Sequence, residues 1–260
     1  MLSVVIPAFN EAARLPATLR MTLDYFRSTG ADFEVIVVDD GSSDDTAERV
    51  REISVHSSQV RLIRLPQNFG KGFAVRSGII NAEGQRVLFM DADGATPLTE
   101  LAVLEAAMNE TAAEIVIGSR SHLPGSETVV EARWFRHVAG RTFHQFVRLL
   151  GVSGISDTQC GFKLFSREAA IAIAVRMKMR GFSFDVEMLR IGRELGYSIR
   201  EVPVNWTHMA GSKVNVVRDG MLMVADLIRI RQNSLRGAYQ PGRISTPSIE
   251  SPPVHAEARE

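Results

Sequence analysis

The stretch Val87-Leu88-Phe89-Met90-Asp91-Ala92-Asp93-Gly94 joins an apolar run of strand length to two carboxylates separated by one small residue. At the carboxyl end of a buried parallel strand, such a pair can bind a hard divalent cation directly and through water. A diphosphate can then fill the remaining coordination positions. We therefore predict that Asp91 and Asp93 bind Mg²⁺ or Mn²⁺, although Asp-x-Asp alone also fits a polar turn.

Further apolar runs lie on both sides of this stretch, and segments with helical spacing separate them. The predicted strands are 2–6, 33–38, 60–65, 86–90 and 114–118, and the predicted helices are 15–26, 71–81, 98–109 and one that begins near 44. Continuously apolar strands indicate burial on both faces, so we predict an α/β fold with a mostly parallel sheet between two helical layers. Ligands bind at the carboxyl ends of such strands. We expect one edge of the sheet to collect Glu11, Asp39, Asp40, Asp91, Asp93 and Arg120.

The pattern changes after Ser121. The sequence predicts a loop over 121–130, a helix over 133–150, a strand over 157–165, a helix over 184–195, a strand over 197–204 and an apolar helix over 214–235. Ser166 is expected to cap a short helix. From Arg236 on, Pro, Ser, Gly and charge dominate without periodicity, which is typical of disorder. We thus expect one domain over 1–235, with halves 1–120 and 121–235, and a disordered tail over 236–260.

Composition excludes several classes of protein. The chain has 260 residues and a formal net charge of zero, so no global field favours nucleic acid, and we predict no nucleic-acid partner. The single cysteine, Cys160, fits a reducing compartment. No apolar run approaches the length of a transmembrane helix, and the N-terminus lacks the pattern of a signal peptide. We expect a cytoplasmic location.

Nucleotide-binding signatures of other classes are weak. No Gly-x-Gly-x-x-Gly follows the first strand, and Asn68-Phe69-Gly70-Lys71-Gly72 is only an approximation to a phosphate-binding loop. Asp39-Asp40-Gly41-Ser42 ends the second strand. A carboxylate there can accept the N–H of a pyrimidine or a ribose hydroxyl, while a helix cap is the alternative.

Four blocks together resemble the family-2 inverting glycosyltransferases with the A-type fold. In order, they are Val4-Val5-Ile6-Pro7-Ala8-Phe9-Asn10-Glu11, Val37-Val38-Asp39-Asp40-Gly41-Ser42, Asn68-Phe69-Gly70-Lys71-Gly72 and Met90-Asp91-Ala92-Asp93. The resemblance covers about residues 1–235 and implies a nucleotide-sugar donor. It assigns donor binding to Pro7, Ala8, Asn10, Glu11, Asp39, Asp40, Lys71, Asp91, Ala92, Asp93 and Gln159.

Later blocks resemble the polyprenyl-phosphate glycosyltransferases. They are Gly118-Ser119-Arg120, Asp157-Thr158-Gln159-Cys160-Gly161-Phe162-Lys163-Leu164-Phe165, Phe184-Asp185-Val186-Glu187 and Gly211-Ser212-Lys213-Val214. The second block is most similar to the dolichyl-phosphate β-glucosyltransferases. This resemblance implies transfer of glucose from UDP-glucose to a polyprenyl phosphate. The alternatives are a GDP-mannose donor, a hydroxyl acceptor and a non-catalytic membrane adaptor that binds a nucleotide sugar.

The segment 133–150 has the composition of an interfacial membrane helix. At 100° per residue, Arg133, His137, Arg141, His144 and Arg148 form one stripe beside a broad aromatic face, and the segment has no acidic residue. We expect it to bind the inner, cytoplasmic membrane face and present the lipid phosphate, with Arg133 and Arg141 contacting that phosphate. An ordinary surface helix and a homodimer contact are the alternatives.

The remaining candidates face the acceptor. Both reacting groups are anionic, so Arg120, Ser212 and Lys213 are predicted to offset phosphate charge. Asp157 is predicted to position the acceptor or act as a weak base, with Asp185 or Asp157 as the true base for a hydroxyl acceptor. Asp93, Asp157, Arg120 and Lys213 are therefore our candidate catalytic residues, and Gln159 would contact sugar hydroxyls or the metal's water. Helix capping is the alternative role for Asp185 and Glu187. Trp206 and His208 are candidates to line the site, with core packing as the alternative for Trp206. We expect Cys160 to be a packing residue rather than a nucleophile.

Overall fold

The structure is a computed structural model that describes residues 1–120, 130–131, 152, 154–209 and 216–240. Within these ranges the strands are β1 (Leu2–Ala8), β2 (Phe33–Asp39), β3 (Val60–Arg64), β4 (Arg86–Met90), β5 (Ile115–Ser119), β6 (Val130–Glu131), β7 (Phe162–Ser166), β8 (Ile199–Pro203) and β9 (Trp206–Thr207). The helices are α1 (Leu15–Thr29), α2 (Thr46–Val55), α3 (Lys71–Ile80), α4 (Leu101–Thr111), α5 (Arg167–Ala174), α6 (Phe184–Glu194) and α7 (Val216–Leu235). A 3₁₀ turn, Leu98–Glu100, precedes α4.

Seven strands of the described chain form one sheet in the order β3-β2-β1-β4-β7-β5-β8. All of them run parallel except β7, which is antiparallel to both β4 and β5. The predicted mostly parallel sheet is confirmed, but the insertion of β7 into its middle was not foreseen. The carboxyl ends of β1, β2, β4 and β5 lie at one edge, while β6 and β9 pair separately.

Each face of the sheet packs against its own helical layer. Alternate residues of one strand point to opposite faces, so Val4 and Val5 enter different cores. The Val4 core includes buried side chains of α1, α2 and α4, and the Val5 core includes those of α3, α5, α6 and α7. Every residue of β1 and β2 is buried, which explains the continuous apolar runs.

Two predicted boundaries were wrong. Pro7 and Ala8 belong to β1 rather than to a loop, since Ala8 pairs with Asp39 of β2. The strand predicted over 157–165 begins only at Phe162, because residues 157–160 form a turn in which Asp157 accepts the Gln159 N–H at 3.2 Å. Ser166 caps α5 as predicted, accepting the Ala169 N–H at 3.2 Å.

The predicted disordered tail begins too early. Residues 236–240 are described, and the Tyr239 side chain is fully buried in the core of the α3, α5, α6 and α7 layer. The rest of the tail, the predicted membrane helix 133–150 with Arg133 and Arg141, and the loop with Ser212 and Lys213 lie outside the described residues. Within the described residues, none of the helices has both the length and the apolar composition needed to cross a bilayer.

Candidate active site

The two carboxylates of the Asp-x-Asp pair leave the end of β4 in a loop fixed from two sides. The Asp91 N–H donates to the Gly161 carbonyl at 3.0 Å, and Thr18 Oγ1 of α1 donates to the Ala92 carbonyl at 2.8 Å. Gly161 lies directly against the Asp91 carboxylate, where a Cβ would overlap both of its oxygens. Gly161 therefore belongs to the site because it has no side chain.

Electrostatics at this pair favour an added cation. Burial raises the pKa of Asp93 above its ordinary value, and the neighbouring Asp91 charge raises it further. Lys71 Nζ, at the start of α3, lies 2.7 Å from Asp91 Oδ1. Burial would lower the pKa of Lys71, but the charges of Asp91 and Asp185 outweigh it, so this pKa is raised and the ammonium stays charged.

The donor set fits a metal ion that arrives with a diphosphate. Two adjacent carboxylates are hard oxygen ligands suited to Mg²⁺ or Mn²⁺. Among the described residues, no group of three or more His, Cys, Asp or Glu could hold an ion alone. Asp91 and Asp93 would thus supply part of the coordination shell and leave the rest to phosphate oxygens and water.

A second ion pair is buried beneath the first. Lys163 of β7 has no exposed surface; it pairs with Asp185 of α6 and donates to the Cys160 carbonyl at 2.5 Å. The ammonium groups of Lys71 and Lys163 lie 5.6 and 5.5 Å from the centroid of the Phe89 ring. Burial raises the pKa of Asp185 above its ordinary value, against the opposing charges of Lys163 and Lys71. Asp185 is thereby committed to this pair rather than open to an acceptor.

The two aspartates at the end of β2 have different surroundings. Asp39 Oδ1 accepts the Ser42 N–H at 3.0 Å, whereas its buried Oδ2 has no hydrogen-bond partner in the described part of the chain, with Arg64 Nε 3.4 Å away. Both oxygens of Asp40 accept backbone N–H groups, from Phe69 and Gly70, each at 2.8 Å. Asp39 thus retains an acceptor for a ligand, and Asp40 holds the loop that leads into α3.

The first loop is tied to the β2 loop. Asn10 adopts a positive φ of 55°, its N–H donates to Ser42 Oγ at 2.8 Å, and its Oδ1 accepts the Ser43 N–H at 2.8 Å. Glu11, predicted to bind the donor, is paired with Arg14 through both oxygens, at 2.7 and 2.5 Å. After Glu11, the charges of Asp93 and Asp91 also raise the Arg14 pKa. Sequence reasoning missed Arg14, although it directly precedes α1.

The opposite side of the site is built around Arg120 at the end of β5. Asp157 binds its guanidinium with both oxygens and also accepts the Arg120 N–H at 2.9 Å. Burial alone would raise the pKa of Asp157, but the charge and hydrogen bonds of Arg120 hold it below its ordinary value. Glu201 of β8 accepts the N–H groups of Ser156 and Asp157 at 2.8 and 2.7 Å, and the Trp206 ring lies 5.6 Å from the guanidinium.

The structure brings both sides into one site. Burial would lower the pKa of Arg120, but the charge and hydrogen bonds of Asp157 outweigh it, and the charge of Asp91 raises this pKa further. Burial raises the pKa of Cys160 to about 12, so its thiol stays protonated at neutral pH and the packing interpretation holds. Gln159 is half-buried in the same turn, whereas Pro7 and Ala8 are buried in β1. Glu201 gave no sequence signal, because its role depends on a contact 44 residues away.

Comparison with known proteins identifies the family of this chain. Residues 3–173 match the sequence profile of Glycosyl transferase family 2. The chain belongs to this family. It is 40% identical to the dolichyl-phosphate beta-glucosyltransferase of Dictyostelium discoideum over 249 residues, which cover 92% of this chain and 76% of that protein. The human protein of the same name is also 40% identical, over 92% of this chain and 77% of its own length.

Solved structures share the fold of this glycosyltransferase. Glucosyl-3-phosphoglycerate synthase from Mycobacterium tuberculosis, crystallised with Mn²⁺ and UDP-glucose, superposes with a TM-score of 0.62 at 21% identity over 90% of this chain and 78% of that chain. Mannosyl-3-phosphoglycerate synthase from Rubrobacter xylanophilus gives 0.64 at 18% identity, over 97% and 79%. These superpositions establish the common fold, and the predicted A-type glycosyltransferase fold is confirmed.

Proposed function

We propose that this glycosyltransferase transfers glucose from UDP-glucose to a polyprenyl phosphate of the dolichyl type, with inversion at the sugar. The observation that carries the proposal is that both carboxylates on the acceptor side are held in ion pairs. Asp157 is bound by Arg120, and Asp185 is bound by Lys163. The lowered pKa of Asp157 makes it a weak base, and Asp185 is buried with its carboxylate turned to Lys163 rather than to an acceptor. A phosphate acceptor needs no such base, because it is already ionised near neutral pH.

On the donor side, Asp91 and Asp93 would hold the metal ion and Asp39 Oδ2 would accept from the nucleobase or the ribose. The metal, when bound, neutralises negative charge on the departing diphosphate. Lys71 lies close enough to Asp91 to contribute a second positive charge there. Pairing of Glu11 with Arg14 would keep that guanidinium directed at the same charged region.

The reaction would be a single displacement. An oxygen of the lipid phosphate forms a bond to the anomeric carbon as the bond from that carbon to UDP breaks on the opposite face, which inverts the centre. Arg120, fixed by Asp157 and stacked near Trp206, offsets the charge where two anionic groups approach each other. Ser212, Lys213, Arg133 and Arg141 are proposed to complete the phosphate site.

The relatives support this choice of substrates. The curated proteins at 40% identity carry the name dolichyl-phosphate beta-glucosyltransferase, and a neighbour with the same fold binds Mn²⁺ and UDP-glucose. We further propose peripheral contact of the segment 133–150 with the cytoplasmic face of a membrane. A second copy of the chain remains an alternative partner for that segment.

A donor and acceptor panel tests the proposal. Radiolabelled UDP-glucose and GDP-mannose are each incubated with Mn²⁺ and either polyprenyl phosphate in vesicles or a water-soluble sugar acceptor. We expect label from UDP-glucose to enter the organic phase. If only label from GDP-mannose is transferred, the donor is GDP-mannose and not UDP-glucose. If label enters only the water-soluble product, the proposal of a lipid acceptor is wrong. Asp93→Asn should reduce turnover at saturating metal by at least about 100-fold, and full turnover would overturn the metal assignment.

A further inference from the structure

Tyr239, which follows α7, is connected to the interior of the protein through Glu187. The Tyr239 hydroxyl donates to Glu187 Oε1 at 2.7 Å, and Asn233 Nδ2 donates to the tyrosine oxygen at 3.3 Å. Both Tyr239 and Glu187 have no exposed surface. This contact spans 52 residues and joins the segment after α7 to the first turn of α6.

Glu187 in turn fixes a short backbone segment, residues 178–181. Its Oε2 accepts the N–H groups of Lys178 and Met179, at 2.9 and 2.8 Å. A buried carboxylate that accepts three hydrogen bonds is fully used in holding its partners. Glu187 therefore sets the position of the 178–181 segment rather than facing a substrate.

The 178–181 segment rests directly on the start of α3. The Arg180 carbonyl accepts the Gly72 N–H at 2.7 Å. A Cβ on Gly70 would overlap that carbonyl, and a Cβ on Gly72 would overlap the Met179 carbonyl and Phe184. Gly70 also has a φ of 100°. The two glycines are needed because the backbones approach this closely.

Lys71 is the residue between these two glycines. Its ammonium lies 2.7 Å from Asp91 Oδ1 and 5.8 Å from the centroid of Phe184, the first residue of α6. The helix that begins with Lys71 is thus held by the same segment that Glu187 fixes. Any displacement of that segment moves the backbone from which Lys71 reaches the Asp-x-Asp pair.

We propose that Tyr239 and Glu187 are positioning residues for Lys71 in the donor site. They act through the 178–181 backbone and touch no reacting group. The inference rests on the proposed function in one respect, that the Asp91 side binds a nucleotide sugar with its metal. It predicts that loss of the Tyr239 hydroxyl weakens donor binding only as long as Lys71 is present.

A double-mutant cycle tests this coupling. UDP-glucose binding in the presence of Mn²⁺ is measured by calorimetry for the full chain, Tyr239→Phe, Lys71→Met and the double variant. We expect Tyr239→Phe to weaken binding about fivefold to tenfold in the wild-type background and less than about twofold in the Lys71→Met background. Equal fold-changes in both backgrounds, or no change in either, would overturn the inference.

Hydrogen exchange provides a readout that needs no donor. The Gly72 N–H depends on the Arg180 carbonyl, so Tyr239→Phe should accelerate exchange over residues 70–74. Tyr197→Phe is the matched control, since Tyr197 precedes β8 at the edge of the sheet opposite the site. An unchanged exchange rate over 70–74 in Tyr239→Phe would contradict the coupling. If Tyr239→Phe does not fold, Glu187→Gln replaces it in both measurements. The glutamine oxygen can still accept the Lys178 and Met179 amides, but its nitrogen cannot accept the Tyr239 hydroxyl.

Failure of the donor proposal is distinguishable from failure of this inference. A wild-type chain that binds no UDP-glucose contradicts the proposed donor. The same cycle measured with GDP-mannose, and the exchange experiment, then still test whether Tyr239 acts through Lys71.

Discussion

Asp157 binds the guanidinium of Arg120 with both of its oxygens, at 2.7 Å to Nε and 2.8 Å to Nη2. This fork-to-fork geometry is the strongest form of the arginine–carboxylate pair, and it lowers the proton affinity of the carboxylate. Glu201 fixes the backbone of the same turn. Asp157 thus holds the Arg120 guanidinium in place. Because of this fixed positive charge, we propose that the acceptor bound on this side is an anion.

The first prediction concerns this pair. Asp157→Asn should reduce transfer to polyprenyl phosphate by about 100-fold, because Arg120 loses the geometry in which it offsets phosphate charge. The Kd for UDP-glucose should change less than twofold. Steady-state kinetics and calorimetry measure the two quantities, with the exposed Asp32→Asn as control. A matching loss of donor affinity would show that Asp157 serves the donor instead.

The second prediction concerns Gly161. Gly161→Ala places a Cβ on the Asp91 carboxylate, so the carboxylate must move away from the position it holds beside Asp93. We expect the apparent affinity for Mn²⁺ to fall by about 10- to 100-fold. Titration of activity against Mn²⁺ measures this effect. Gly220→Ala on α7 is the matched control, as a Cβ there meets no atom within 4 Å, and a wild-type Mn²⁺ response in Gly161→Ala would contradict the prediction.

The third prediction concerns the buried pair of Lys163 and Asp185. Lys163→Met leaves the Asp185 carboxylate buried without its partner, and we expect the free energy of unfolding to fall by about 3–5 kcal/mol. The double variant Lys163→Met/Asp185→Leu removes both charges and should recover most of that loss. Urea unfolding measures both values. A double variant no more stable than the single one would mean that the pair is needed for more than charge balance.

The fourth prediction is a pH dependence. Burial raises the pKa of Tyr239 above its ordinary value, and the charge of Glu187 raises it further. The folded chain therefore keeps this proton at a pH at which the unfolded chain loses it, near pH 10. The stabilisation is complete below that pH and is lost as the pH rises toward the folded-state pKa.

Comparison of two chains isolates this effect. The difference in unfolding free energy between wild type and Tyr239→Phe should shrink from pH 8 to pH 11, because only the wild type has this tyrosine to ionise. Chemical denaturation at several pH values measures it. A constant difference across this range would indicate that Tyr239 is not held in its protonated form.

Local sequence patterns predicted the first five strands and the edge of the sheet at which the site lies. The apolar runs located β1 to β5, and the rule for carboxyl ends of parallel strands placed Asp39, Asp91 and Arg120 at one edge. The pattern could not show that Asp40 accepts hydrogen bonds from the Phe69 and Gly70 amides. Nor could it show that Asp39 Oδ2 is buried without a hydrogen-bond partner in the described part of the chain. Two adjacent aspartates look equivalent in a sequence, and only the folded loops separate them.

Specific side-chain pairs account for what was missed, because periodicity does not report them. Glu201 and Tyr239 bind partners 44 and 52 residues away, and Arg14 pairs with Glu11 three positions earlier. The tail was predicted to be disordered from its composition, yet the Tyr239 hydroxyl donates to the buried carboxylate of Glu187, 52 positions earlier. Similarly, β7 reads as an ordinary apolar strand, and nothing in its residues indicates an antiparallel place between β4 and β5.

The position of β7 between β4 and β5 determines when the sheet can be completed during synthesis. Among the described strands, β5 pairs only with β7 and β8, both of which come later in the chain. During synthesis the ribosome therefore releases β5 more than 40 residues before either partner strand exists. We expect the nascent chain to keep an unpaired apolar strand until residue 166 has emerged, and this interval is when chaperone binding is most needed.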